Sequence, residues 1–138
     1  MELTASQTKK IQDYFAKQKD IVAVYLYGSA RKGVTNKRSD IDFGILFDDG
    51  VDVYHRLGEI YSQLPDLQLE PDVRDLNLDY SPVYLLNVIQ GELIYERDER
   101  KRVNFEVTVM KQFYDTEHLR NTNLEYMRQR LKDGSYGY

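Results

Sequence analysis

The sequence has no cysteine, no tryptophan and only 3 prolines among its 138 residues. Without cysteine there can be no disulfide framework and no thiolate metal centre. Three scattered prolines leave no proline-rich linker. No apolar run approaches the ~20 residues needed to cross a bilayer. The opening MELTASQTKK also lacks the apolar core of a secretion signal. A basic excess is missing too. The formal net charge is −4, whereas proteins that wrap nucleic acid are usually basic. Membrane insertion and general nucleic-acid binding are therefore not expected, and the expected location is the cytoplasm.

What is present suits one soluble domain spanning residues 1–138. The chain is 41% hydrophobic and 30% charged, and its length suffices to bury a core without staples. There is no internal repeat and no low-complexity stretch.

Residues 6–18 read as a helix, with Ser6 as its cap and Ile11, Tyr14 and Phe15 at helical spacing. IVAVYLY at 21–27 is an apolar, β-branched and aromatic run that suits a buried strand. Gly28-Ser29 breaks it, and the polar, basic ARKGVTNKRS at 30–39 reads as a loop or one short helical turn. In DIDFGILF at 40–47, Asp40, Asp42 and Gly44 share one strand face, while Ile41, Phe43, Ile45 and Phe47 share the other. A helix over 52–64 follows. LQLEPDVRDL at 67–76 then returns to strand period, with Pro71 suggesting a sheet edge. Ser81-Pro82 opens another helix, a short strand covers 93–95, and residues 98–132 are helical, as one helix or broken near Asp115-Thr116. The final GSYGY reads as a tail. This order predicts a small α/β (α+β) domain, a mixed sheet with helices packed on one face and an open face carrying carboxylates.

The chemistry lies between Tyr27 and Phe47. Two strand-borne aspartates at i and i+2 point the same way, ~7 Å apart along the chain. Their mutual repulsion becomes binding once a divalent cation is present, and Mg²⁺ favours carboxylate oxygens together with substrate phosphates. The Gly28-Ser29 step after an apolar strand allows close backbone approach and offers a hydroxyl. Arg31, Lys32, Lys37 and Arg38 crowd the same loop. Together these groups make a phosphate cradle beside a metal site, distinct from the P-loop pattern. Each feature alone is ordinary; their order along the chain is informative.

Gly-Ser, ten residues, then Asp-x-Asp, as in GSARKGVTNKRSDID, resembles the signature of the DNA polymerase beta-like nucleotidyltransferase superfamily. The short length resembles its minimal nucleotidyltransferase (MNT) branch. LEPDVRDLN looks like that branch's third acidic strand, and IQGELIYERDE like the turn and strand before its final helices. The resemblance covers most of residues 21–100, and the C-terminal helical segment about 98–132 only loosely.

That resemblance implies the polymerase beta-like fold, two Mg²⁺ ions, and ATP or another nucleoside triphosphate as substrate. Asp40 and Asp42 would bind both ions. A third carboxylate from Glu70, Asp72 or Asp75 would bind one. Strand alternation and the family pattern favour Asp72, with Asp75 open if a bulge follows Pro71. Gly28 and Ser29 would hold the β- and γ-phosphates, with Arg31, Lys32 or Arg38 on the leaving pyrophosphate. MNT proteins are commonly antitoxins of HEPN-domain ribonuclease toxins, so the resemblance implies AMP transfer to a toxin tyrosine. An antibiotic nucleotidyltransferase and a non-catalytic antitoxin that masks its toxin are the alternatives.

Other conspicuous residues read as structural. His55 and His118 are not spaced as metal ligands and read as surface residues, Tyr54 and Tyr61 suggest helix packing, and RDERKR at 97–102 suggests a solvated helix start.

Overall fold

The computed structural model describes residues 3–28 and 40–132, with the backbone alone at Asp40. Residues 1–2, 29–39 and 133–138 lie outside the described residues.

Four helices and four strands alternate as α1 (Ala5–Ala16), β1 (Ile21–Tyr27), β2 (Asp40–Phe47), α2 (Val53–Gln63), β3 (Glu70–Asp75), α3 (Pro82–Ile89), β4 (Glu92–Glu96) and α4 (Glu99–Lys132). The strands form one sheet in the order β3-β2-β1-β4. β2 and β3 run parallel; β1 is antiparallel to both β2 and β4. The mixed α/β class expected from the sequence is thus present. No helix of the described residues is long and apolar enough to cross a membrane.

The expectation of helices on one face needs correction. Ile11 and Phe15 of α1 and Ile60 of α2 pack on Val24, Leu26, Ile41, Phe43 and Ile45. The opposite face is covered in part by Leu85 and Val88 of α3 and Phe105 and Val109 of α4, against Ala23, Tyr25 and Tyr27. The physical reason lies in β1, whose seven residues are all buried. A strand apolar on both faces requires cover on both. On β2 the second face reads Asp42, Gly44, Leu46. Gly44 admits α3, because a Cβ there would stand 2.6 Å from Val88 Cγ1. The helices therefore cover the Gly44–Leu46 end of this face and leave its Asp42 end open.

Helix ends follow local chemistry. The cap of α1 is Thr4, not Ser6. The Thr4 hydroxyl accepts from the Gln7 backbone N–H at 3.1 Å, and the Gln7 side chain accepts from the Thr4 N–H at 2.8 Å, a reciprocal capping box. α4 is unbroken at Asp115-Thr116. There the Thr116 hydroxyl donates to the Gln112 carbonyl, and Arg120 stacks on the Phe113 ring while donating to Thr116 Oγ1 and the Phe113 carbonyl. The 97–102 stretch is a clamp rather than a solvated start: Arg97 and Lys101 both donate to Asp48, and Arg102 bridges Glu96 and Glu106. Tyr54 and Tyr61 are exposed rather than packed, and His55 and His118 also face solvent.

Candidate active site

The open end of the second face is built by three strand positions. β1 closes on Gly28, whose φ of +81° suits glycine. This bend lays the backbone against β2 so tightly that a Cβ on Gly28 would stand 2.5 Å from Asp42 Oδ2. Across the antiparallel ladder, Asp42 pairs with Tyr27. Across the parallel ladder, Asp42 pairs with Asp72, and Asp40 with Glu70. Residues paired in a ladder share a face, so Asp42 and Asp72 are side by side, with strands ~4.8 Å apart.

Asp75 pairs with Ile45 and belongs to the other alternation of β3. Both its oxygens accept from the Tyr80 hydroxyl, at 2.8 and 2.9 Å. That bond, above all, pushes the Tyr80 phenol up to about 12. Glu70 accepts from the Tyr61 hydroxyl. Of the three candidate carboxylates, Asp72 is the one aligned with Asp42. β3 shows no bulge against β2, and it ends the sheet, as Pro71 suggested.

Three further side chains, Arg74, Tyr27 and Tyr84, adjoin the acids. Arg74, one turn of the pleat beyond Asp72, donates from Nε to Asp72 Oδ2 at 3.3 Å. The Asp72 charge is the main cause raising the Arg74 pKa, so the guanidinium stays protonated. The Tyr27 and Tyr84 hydroxyls lie 3.4 Å apart. Burial first, then the Tyr84 phenol and the Asp42 charge, push the Tyr27 phenol well above its ordinary value. Alternation places Arg74 with Asp72, but nothing in the sequence pairs Tyr27 with Tyr84. A groove of about 430 Å³ opens beside this cluster, with Arg74 and Tyr84 among its lining residues.

Ser29, Arg31, Lys32, Lys37 and Arg38 lie outside the described residues, as does the Asp40 side chain. Among the described residues no three metal-ligating side chains converge. The donor set that is described nonetheless suits a hard divalent cation: aligned carboxylates on rigid strands, beneath a glycine that lets backbone come close.

The family model described as Polymerase beta, Nucleotidyltransferase matches residues 9–100. No curated protein matches the sequence significantly. Several solved structures share the fold. One is a toxin–antitoxin with AMP-PNP, 20% identical, TM-score 0.66, covering 88% of this chain and 98% of that chain. Another is the toxin–antitoxin MntA-HepT, 19% identical, TM-score 0.65, covering 91% and 99%. A third is a tri-AMPylated Shewanella oneidensis HEPN toxin in complex with MNT antitoxin, 17% identical, TM-score 0.61, covering 88% and 98%.

Proposed function

Since this chain belongs to the Polymerase beta, Nucleotidyltransferase family, we propose that it is a Mg²⁺-dependent antitoxin that transfers AMP from ATP to a tyrosine of a HEPN-domain toxin. The observation that carries the reading is the in-register pair Asp42 and Asp72 beside the Gly28 bend. The partner and the acceptor are drawn from the fold relatives, one of which is an AMPylated HEPN toxin bound to an MNT antitoxin.

Asp40 and Asp42 would hold two cations, and Asp72 would share one of them. When bound, Mg²⁺ supplies neutralisation of the polyphosphate charge and acidifies the acceptor hydroxyl. Gly28, at the end of β1, and Ser29 would grip the β- and γ-phosphates, helped by Arg31, Lys32 or Arg38. Asp72, on the β3 side, faces the entering hydroxyl and takes its proton. The tyrosine oxygen bonds to the α-phosphorus, the bond from that phosphorus to the β-phosphate bridge breaks, and pyrophosphate leaves. Positioning and charge placement carry most of the rate.

The test is labelling of the partner toxin with α-labelled ATP and Mg²⁺. Label is expected on a toxin tyrosine, with Asp42→Asn slower by roughly 10²–10³-fold, the cost typical of losing a charge-stabilising group. Full neutralisation of the toxin by an Asp40→Asn/Asp42→Asn double variant would contradict catalysis and favour masking. Label on an aminoglycoside-type drug but on no protein would favour the small-molecule enzyme.

A further inference from the structure

The groove along the outer end of β3 is on the opposite side of Asp42 from Gly28. The sheet order β3-β2-β1 fixes this: Gly28 ends β1, Asp42 is on β2, and Asp72 and Arg74 are on β3. In-line displacement at phosphorus puts the entering and leaving oxygens on opposite sides. A pyrophosphate gripped at Gly28 leaves toward β1, so the acceptor enters from β3. On that side a groove wraps the edge of β3, lined by Leu57, Val73 and Asp75 from one sheet face and by Arg74 and Tyr84 from the face of the acids. Arg74 joins it to Asp72 at 3.3 Å, and Tyr84 joins it through the Tyr27 hydroxyl at 3.4 Å.

We propose that this groove is the acceptor subsite, and that it takes the side chain of a protein tyrosine. The proposal rests on the nucleotidyltransferase reading above and adds where the acceptor sits. The lining suits an aromatic ring with a polar tip. Leu57 and Val73 make an apolar wall, and Tyr80 and Tyr84 make an aromatic one, their rings edge-to-face with centroids 6.3 Å apart. Aromatic rings favour such partners. A guanidinium at the inner end, from Arg74, can stack on a ring or meet a developing phenolate. A volume of about 430 Å³ is in the range of sites that hold a small ligand or a side chain. β3 also ends the sheet, which leaves its outer edge accessible to a partner chain.

Ser81 allows a clean test. It lines the groove, it is exposed, and its hydroxyl makes no cap hydrogen bond to α3. Ser81→Trp or Ser81→Lys should therefore obstruct the groove without touching the core. Labelling rates would be measured with the HEPN toxin as the varied substrate, alongside calorimetric binding of Mg²⁺–AMP-PNP. The expected result is a KM for the toxin raised roughly tenfold or more in Ser81→Trp and Ser81→Lys, with AMP-PNP affinity unchanged. Weakened AMP-PNP binding in the bulky variants would assign the groove to the nucleotide and overturn the proposal. An unchanged KM in both would overturn it as well. If the wild type binds AMP-PNP yet labels no protein, the function itself fails and the acceptor subsite fails with it. If the wild type labels the toxin and the bulky variants do so equally well, only the subsite fails.

Discussion

Gly28 is where backbone conformation and chemistry meet in one residue. Its left-handed φ disfavours any side chain, and its missing Cβ leaves room for the Asp42 carboxylate. Gly28→Ala should cost roughly 1–2 kcal/mol of stability from the left-handed backbone. It should also displace Asp42 or the bend, so nucleotidyl transfer should fall at least about tenfold more than the Tm shift suggests. Thermal unfolding and labelling rates on one preparation would separate the two effects. At this scale the sequence was informative about Gly28, Asp42 and Asp72, because glycine after an apolar strand and acids at strand spacing each have a physical signature. It was silent about Tyr27 and Tyr84. Their hydroxyls meet only because α3 folds over β1, a contact 57 residues apart in the chain.

The elements are joined by charge at the far end of the sheet. Asp48, just past β2, accepts from Arg97 at 2.8 Å and Lys101 at 2.6 Å, tying the start of α4 to the β2 end. The Lys101 hydrogen bond, first among the causes, holds the Asp48 carboxyl below its ordinary 3.8. A depressed carboxyl pKa stabilises the fold above the unfolded-state pKa and loses that effect as pH falls through the folded-state value. Asp48→Asn should therefore lower Tm at pH 7, by no more than a few degrees because both pairs are exposed enough for water to screen them. The difference from wild type should shrink below pH 3.8 and vanish once Asp48 is protonated. A series of melts from neutral to strongly acidic pH checks both statements.

Element positions were largely legible in periodicity, from the buried β1 run to the Pro at the start of α3. The errors have local causes. Thr4-x-x-Gln7 is a stronger cap than Ser6, because it satisfies two free N–H groups reciprocally. The alternating acids of β2 suggested an open face, but the fully apolar β1 beside it already demanded cover on both sides. Arg97, Lys101 and Arg102 read as solvated only because their acidic partners Asp48, Glu96 and Glu106 lie on other elements or a helical turn away.

For the molecule as a whole, α4 divides into a docked half and a free one. Its 34 residues span ~51 Å, yet its buried residues are only Phe105 and Val109. Beyond Phe113, Tyr114, Leu119, Leu124, Tyr126, Met127 and Leu131 are all more than half exposed. Removing residues 121–138 should leave the sheet and its helices folded, with a stability change within about 1 kcal/mol, since surface changes away from the core cost little. Circular dichroism melts of the truncated and full chains test this. Strand order also belongs to this scale. The parallel pairing of β2 with β3, made through the α2 crossover, brings Asp72 beside Asp42, and no local pattern announces a register between segments 30 residues apart.

That register is what the catalytic reading depends on. The most direct test counts bound Mn²⁺ by electron paramagnetic resonance in the presence of AMP-PNP, for wild type and Asp72→Asn. If Asp72 shares the metal centre with Asp42, the wild type should bind one more Mn²⁺ than Asp72→Asn, and the remaining ion should disappear in Asp42→Asn. Equal Mn²⁺ occupancy in wild type and both variants would contradict a carboxylate-held cation at this site.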